Sequence, residues 1–300
     1  MLDNSKLQPV VEQTPPVTFM LTKWLQNIGV RGGHRLEQMC IESDMWNSYS
    51  RFELSEKVFI DIPLWKRPYD KAFMLNYESM PIAAVSDAMN SCDEQFLMFD
   101  CGADIGMFTA LLAAQTDRIS EAIGFEPNKE SFGDLWHNYS LLPFKAFAMD
   151  KAVSNFYGNA DLAFPDFDGH DHAAFITPSD HGDIKAVTVD SFNLFNLPGL
   201  FLKIDVEGEE LNVIRGARKT IETAQNALIL FEAHPKQSDR VAVDPCDIIK
   251  ELLTIHPFDY QITEAPDTQL DLDKPFFSQT EKIDRRVFNI LLSFKPQGER

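Results

Sequence analysis

The sequence predicts an α/β fold: an open, mostly parallel, seven-stranded sheet with helices on both faces, behind an N-terminal extension. Three observations predict it. Two apolar runs, 95–99 and 122–125, each end in an acid, Asp100 and Glu126, with a glycine turn and a helical stretch between them. Continuous apolar runs mark strands buried on both faces, as in parallel sheets. Helical patterns then alternate with five further short apolar runs as far as residue 294, the rhythm of a doubly wound sheet. Three hundred residues, 44% of them hydrophobic, suit one large domain or one domain with an extension.

The turn after the first run carries the chemistry. Asp100-Cys101-Gly102-Ala103-Asp104-Ile105-Gly106 places an acid before two glycines spaced four apart. Gly102 and Gly106 let the chain bend sharply and let a ligand approach the backbone. Glu126 ends the neighbouring strand and so lies at the same carboxyl edge. There it can hold both hydroxyls of a ribose, with a nucleoside lying between loop and acid. The dinucleotide fingerprint G-x-G-x-x-G is missing. Asp100 would repel a pyrophosphate and suits a cationic ligand. S-adenosyl-L-methionine has a sulfonium, an ammonium and no phosphate, and is the cofactor expected. A nicotinamide-dependent oxidoreductase, the competing enzyme class, predicts the absent fingerprint and binding of NADH.

These residues resemble a known family. Phe99–Gly106 is similar to motif I of the FkbM-type S-adenosylmethionine-dependent methyltransferases, and Gly124-Phe125-Glu126-Pro127-Asn128 to their second-strand motif. Leu202-Lys203-Ile204-Asp205-Val206-Glu207-Gly208 resembles the family's most distinctive stretch. Thr188-Val189-Asp190 and Phe231-Glu232-Ala233-His234 also fit its pattern. The resemblance covers roughly residues 75–295. It implies a Rossmann-like class I methyltransferase fold and methyl transfer, expected to be O-methylation of a hydroxyl on a small molecule or a sugar. Tyr77-Glu78 stands where the family has a Tyr-Glu pair, which implies that Glu78 faces cofactor or substrate. Asp104 departs from the family's usual Asn. Asp and Asn share turn behaviour, so the change keeps the turn and adds a negative charge beside the cofactor. That charge is also the one motif change pointing to the third class of reading, a binding protein that keeps the fold without catalysis.

Composition narrows the partners. Forty-six acidic against 27 basic residues give a net charge of −19. Such a balance argues against a nucleic-acid backbone or an anionic membrane as the partner and leaves a small-molecule or sugar acceptor. Oligomeric state is not legible. Cys40, Cys92, Cys101 and Cys246 are scattered without C-x-x-C spacing, the pattern of free thiols in a reducing compartment. Cys101, in the turn, reads as a small residue beside the cofactor rather than a reactive thiol. No apolar run reaches the ~18 residues of a membrane span, and no signal peptide is evident. The expected location is the cytoplasm.

Taken in order, residues 1–17 read as a loose tail within a capping extension over 1–72. Leu21, Trp24, Leu25 and Ile28 share one face of a short helix. Arg31–Arg35 reads as a solvated loop or an anion-binding turn. Residues 51–80 read as an irregular cap or hairpin, followed by a helix over 81–90. In the main domain, 73–300, helices are expected over 105–116 and from Asn128, with Phe132, Leu135, Trp136 and Tyr139 on one face. A third strand, 144–149, ends in Asp150, either an adenine ligand or a loop acid. Residues 153–187 are the least regular, and Asp166, Asp168, His170, Asp171, His172, Asp180, His181 and Asp183 crowd there. Their spacing matches no metal motif, so no metal is expected, although His170 or His172 can be placed against the acceptor. The fourth strand, 200–205, ends in Asp205, suited to the cofactor's charged end or to a base, with a helix bearing Leu211, Ile214, Ala217 and Ile221 behind it. Glu207 suits the helix dipole or catalysis. His234, at the end of the fifth strand, suits proton transfer near neutrality. Asp244-Pro245 opens a last helix, and 258–263 and 287–294 close the sheet. The expected cofactor site is therefore Glu78, Asp100, Gly102, Asp104, Gly106, Glu126, Asp150 and Asp205, and the expected catalytic residues are Asp205 and His234.

Overall fold

The computed structural model describes residues 9–12, 16–29, 48–63, 76–163 and 175–294, with scattered positions between 32 and 45. The main sheet contains β4 (Phe96–Cys101), β5 (Ile119–Phe125), β6 (Lys145–Met149), β11 (Gly199–Ile204), β12 (Asn226–Ala233), β13 (Asp259–Ile262) and β14 (Phe288–Phe294). Its order is β13-β14-β12-β11-β4-β5-β6, with β14 alone antiparallel to its neighbours. The chain runs from β4 outward to β5 and β6, then returns to β11 on the other side of β4. A crevice therefore opens at the carboxyl ends of β4 and β11, where ligands bind in open α/β sheets.

Alternation divides the central strands between two cores, as strand geometry requires. All of β4 and β11 is buried. Phe99, Leu200, Leu202 and Ile204 face the helices α5 (Glu210–Gly216), α6 (Arg218–Thr223) and α8 (Pro245–Leu253). Phe96, Met98, Phe201, Leu228 and Leu230 face α2 (Ser79–Asn90), α3 (Met107–Ala113) and α4 (Lys129–Tyr139). The Asn128 side chain accepts from Glu130 N and caps α4, and Asp244 caps α8 with Pro245 in its first turn, both as expected. The helix expected over 105–116 is shorter, because Ile105 and Gly106 belong to the turn, and the one behind β11 breaks at Ala217. Within 265–285 one short helix forms, α9 (Phe276–Thr280).

The N-terminal strands β2 (Tyr49–Ser55) and β3 (Val58–Pro63) form the hairpin expected there. β1 (Pro9–Glu12) pairs with β2, so part of the expected loose tail is a strand. Phe52, Leu54, Val58, Ile60 and Ile62 join the core of α3 and α4. In α1 (Val17–Asn27) the expected face is reversed. Phe19 and Thr22 are buried, whereas Leu21, Trp24 and Ile28 are about half exposed. Apolar residues surround this helix on most sides, so periodicity finds a stripe without saying what covers it. Trp136 of α4 is likewise exposed, and Ser131, Leu135, Asn138 and Tyr139 face inward.

A second, four-stranded sheet occupies the region expected to be least regular. It comprises β7 (Lys151–Val153), β8 (Gly158–Ala163), β9 (Phe175–Pro178) and β10 (Ile184–Val187), in the order β7-β10-β8-β9. Its strands are short and half exposed, without the apolar runs that reveal a strand in sequence. Asp166, Asp168, His170, Asp171 and His172 lie outside the described residues, as do Arg31, Gly33 and His34. Among the described residues no helix is long and apolar enough to cross a membrane. No group of three metal-ligating side chains occurs among them either.

Candidate active site

A cavity of about 290 Å³ opens at the crevice and is walled by Gly102, Asp104, Glu126, Asp205, Glu207 and Glu232, among others. Its floor is the turn after β4. Gly102 has φ +80°, and a Cβ there would stand 1.8 Å from the Asp205 carbonyl oxygen. The neighbouring strand end therefore demands glycine at this position, beyond any need of a ligand. Gly102 N and Ala103 N donate to Phe125 O, and Asp205 N donates to Cys101 O at 2.9 Å, tying three strands into one edge. Gly106, at φ +84°, does not line the cavity. Its Cβ would press on the Tyr139 ring at 3.0 Å and on Leu135 at 3.2 Å, so it serves the packing of α4 rather than approach by a ligand.

Asp104 takes a left-handed φ of 46°, which Asp and Asn tolerate better than most residues. Its backbone N–H donates to Glu126 Oε2 at 3.0 Å, and Asn128 N donates to Glu126 Oε1 at 2.8 Å. The Glu126 carboxylate is thus oriented by backbone on both oxygens. An ionised carboxylate has about four acceptor sites, so the same oxygens can also take ribose hydroxyls.

Asp100 is fully buried and does not line the cavity. It shares a face with Phe96 and Met98 and points beneath the edge. There it accepts from Thr109 Oγ1 at 2.7 Å and from the Tyr139 hydroxyl at 3.3 Å, and lies 3.5 Å from Lys203 Nζ. The expected cofactor contact is thus replaced by a supporting one. Lys203, absent from the expected site, is the hub. Its Nζ donates to Gly102 O at 2.9 Å and to Asp205 Oδ2 at 3.1 Å, and it lies 5.7 Å from the centre of the Phe108 ring. Burial by itself lowers the pKa of this lysine. Asp205, Asp100 and Glu78 outweigh burial and hold it above its ordinary value.

Four carboxyls with raised pKa values stand at the β11–β12 end. Glu78 stands at the head of α2 in a left-handed conformation, without a side-chain capping bond, and burial pushes it up to about 7. Its Oε2 is buried and has no hydrogen-bond partner. Glu207, also left-handed, accepts from Gln237 Nε2 at 2.6 Å, and burial followed by repulsion from Asp205 raises it to about 7. Glu210 N-terminal in α5 accepts from Gly208 N and is likewise raised by burial to about 7. Glu232 is raised well above the carboxylate range by burial, then by Asp205, Glu207 and Glu78. Because Ile204 pairs with Phe231, Asp205 and Glu232 follow side by side at the strand ends.

Two expected residues fall elsewhere. His234 caps α7 (Pro235–Val241): its Nδ1 accepts from Lys236 N at 3.1 Å, and the residue does not line the cavity. Burial, then Lys236 and Arg240, lower its pKa. Asp150 is exposed, 4.0 Å from Lys151, because the chain turns outward between β6 and β7; Lys151, Ala152 and Val153 line the cavity instead. The Cys101 thiol is buried and pushed up in pKa by burial, then by Asp100, as suits an inert packing residue. Lys203 and Glu232 left a trace in sequence: a lone cation inside an apolar strand, and an acid ending one. Leu162 and Ile176, which wall the cavity from the second sheet, left none.

Residues 100–262 match the family model for the Methyltransferase FkbM domain. No curated protein matches the chain. Among solved structures, an FkbM methyltransferase from Methylobacillus flagellatus shares 18% identity at a TM-score of 0.43, over 67% of this chain. This chain spans 44% of that protein, less than half its length. An S-adenosylmethionine-dependent O-methyltransferase from Thermotoga maritima aligns at 10% identity and a TM-score of 0.38, covering 76% of this chain and 72% of its own. The magnesium protoporphyrin IX methyltransferase of Synechocystis, solved with S-adenosylmethionine bound, aligns at 11% identity and 0.41, covering 77% and 89%.

Proposed function

We propose that this chain, which belongs to the FkbM methyltransferase family, methylates a hydroxyl oxygen of a small-molecule or sugar acceptor. S-Adenosylmethionine is the methyl donor of the family, and the residues of the cleft fit it. The observation that carries the reading is the wall of the cavity at the strand-order reversal: carboxylates and a glycine turn. A pyrophosphate would meet repulsion there, whereas an ammonium and a sulfonium meet opposite charge. The orphaned Glu78 Oε2 gives the same sign.

When bound, the donor supplies an electrophilic methyl on a good leaving group, so the protein has mainly to align and to manage one proton. Glu126 would hold the ribose hydroxyls, the 102–104 turn would line the nucleoside site, and Asp205 would face the ammonium end. Leu162, Ile176 and Val206 supply apolar wall that excludes water. Asp205, at the β11 end beside Glu232, replaces His234 as the group able to receive the acceptor's proton. A net charge of −19 favours a small acceptor over a nucleic acid or an anionic membrane, and four free cysteines suit a reducing compartment such as the cytoplasm.

The test is calorimetric titration of the purified chain with S-adenosylmethionine and, separately, with NADH, on wild type and Glu126→Ala. Heat with S-adenosylmethionine alone, lost in the variant, is expected. No heat from a folded chain would overturn the reading, and binding of NADH would favour an oxidoreductase.

A further inference from the structure

After β11 the chain makes a turn that its own residues do not favour. Glu207 and Gly208 are both left-handed, at φ 56° and 103°. Glycine adopts such a conformation freely, whereas glutamate is strained in it. Strain of this kind persists where the surroundings over-determine it. The surroundings here are one face of α7, a helix none of whose residues lines the cavity. Three of its residues, spaced i, i+3 and i+4, grip the turn. Gln237, itself buried, donates from Nε2 to Glu207 Oε2 at 2.6 Å. Arg240 donates from its guanidinium to the Glu207 backbone carbonyl. Val241 packs over Gly208, where a Cβ would stand 3.0 Å from Val241 Cγ1 and 3.2 Å from Arg240 Nη2. The Arg240 guanidinium also lies 4.1 Å from the centre of the Phe175 ring, a stacking contact that lysine does not reproduce. Phe175 opens β9, whose next residue, Ile176, walls the cavity. One helix face thus holds the carboxylate and the carbonyl of a cavity residue and ties the second sheet to the same turn.

We propose that Gln237 and Arg240 are positioning residues for S-adenosylmethionine: Gln237 aims the Glu207 carboxylate and Arg240 fixes its backbone, so that Glu207 presents a negative charge to the cationic donor in one orientation. The proposal rests on the donor reading above. Neither residue has to touch the ligand, because a side chain ordered in the free chain need not be ordered on binding. Glu207 stands among acids: Asp205 at the β11 end, Glu210 of α5 and Glu232 of β12, with Arg240 of α7 as the cation acting on it. Burial, then Asp205, push Glu207 up to about 7, and Gln237 and Arg240 act against them. A hydrogen bond donated to the ionised form favours that form. Removing Gln237 therefore raises the Glu207 pKa further and moves the gain in donor affinity to higher pH.

The experiment is calorimetric titration of the full chain with S-adenosylmethionine at pH 6.5, 7.5 and 8.5, wild type first and each variant checked for an unchanged melting profile. Gln237→Met keeps the bulk of the side chain and removes the hydrogen-bond donor. It is expected to bind about tenfold more weakly at pH 6.5 and 7.5, the size of one hydrogen bond to a charged group, with the deficit narrowing at pH 8.5. On a Glu207→Gln background, where no charge is left to aim, the same substitution should bring little further loss. Arg240→Lys, at an exposed position, should also weaken binding in a way that vanishes on that background, and it supplies the test if Gln237→Met misfolds. Wild-type affinity in both variants at every pH, a Gln237→Met deficit that does not change with pH, or a deficit that persists in full on the Glu207→Gln background would overturn the positioning role and leave the donor reading intact. No binding of S-adenosylmethionine by folded wild type would sink the donor reading and the proposal with it.

Discussion

Gly102 and Lys203 answer to the same few atoms. The Asp205 carbonyl occupies the space where a side chain at 102 would begin, and the Gly102 carbonyl is one of the three groups that hold the Lys203 ammonium. Gly102→Ala should therefore push the β4 and β11 ends apart and abolish S-adenosylmethionine binding, read by calorimetry together with a lower melting temperature. Gly133, inside α4 with nothing within 4 Å of its virtual Cβ, is the control. There alanine should stabilise the chain by up to about 1 kcal/mol in urea melts, the usual helix-interior difference. Lys203→Met leaves Asp100 and Asp205 facing each other without a cation. Breaking a buried ion pair from one side costs about 3–5 kcal/mol, and a loss of that size in denaturant unfolding is expected. A change under about 1 kcal/mol would mean that the carboxyls simply take up protons at little cost.

At the scale of elements, Asp61 decides how the N-terminal hairpin sits on the main domain. Its side chain receives the Arg51 guanidinium through two bonds of 2.7 Å and lies 2.6 Å from His137 Nε2 on α4. The Asn138 side chain meanwhile brackets the Asp61 backbone, accepting from its N–H at 2.9 Å and donating to its carbonyl at 3.1 Å. Asp61→Ala should destabilise the chain by about 3 kcal/mol, since a bidentate, buried carboxylate is lost. The release should be local: faster amide exchange in β2 and β3, with β4 and β11 still protected. Uniform deprotection would show instead that hairpin and sheet unfold as one unit. Asp244 joins elements in a similar way. It caps α8 through Cys246 N and also accepts from Phe276 N at the start of α9.

The whole molecule carries its charge unevenly, and this has a consequence for stability. Glu78, Glu207 and Glu210 stand near 7 in the fold against 4.5 in an exposed chain. Between those values the folded state binds more protons than the unfolded one, so stability falls as pH rises from about 4.5 to 7. Melting temperatures of the ligand-free chain should decline over that window. Glu210→Gln, which removes one such group outside the cavity wall, should flatten the decline. A melting temperature that rises steadily to pH 7.5 would contradict the assignment. S-Adenosylmethionine, by bringing positive charge to the cleft, should stabilise the chain more at pH 7.5 than at pH 5.5.

What the sequence determined by itself was whatever short-range pattern can express. Apolar runs placed the seven strands of the main sheet, Asn128 and Asp244 marked helix starts, and the turn between Asp100 and Gly106 with Glu126 marked the ligand edge. Gly102, Asp104, Glu126, Asp205 and Glu78 do line one cavity. Tertiary structure alone decided which way side chains at that edge point. Asp100 lies on the strand face turned toward α3 and α4 and so supports Lys203 beneath the cleft. Gly106 yields to Tyr139, His234 is taken by a helix cap, and Asp150 turns to solvent. It also decided that Lys203 and Glu232 meet Glu78 from more than a hundred positions away. Periodicity fixes the faces of an element, but only the packing of distant elements fixes what each face meets. For that reason the exposed stripe of α1 and the short strands of the second sheet were not legible in sequence either.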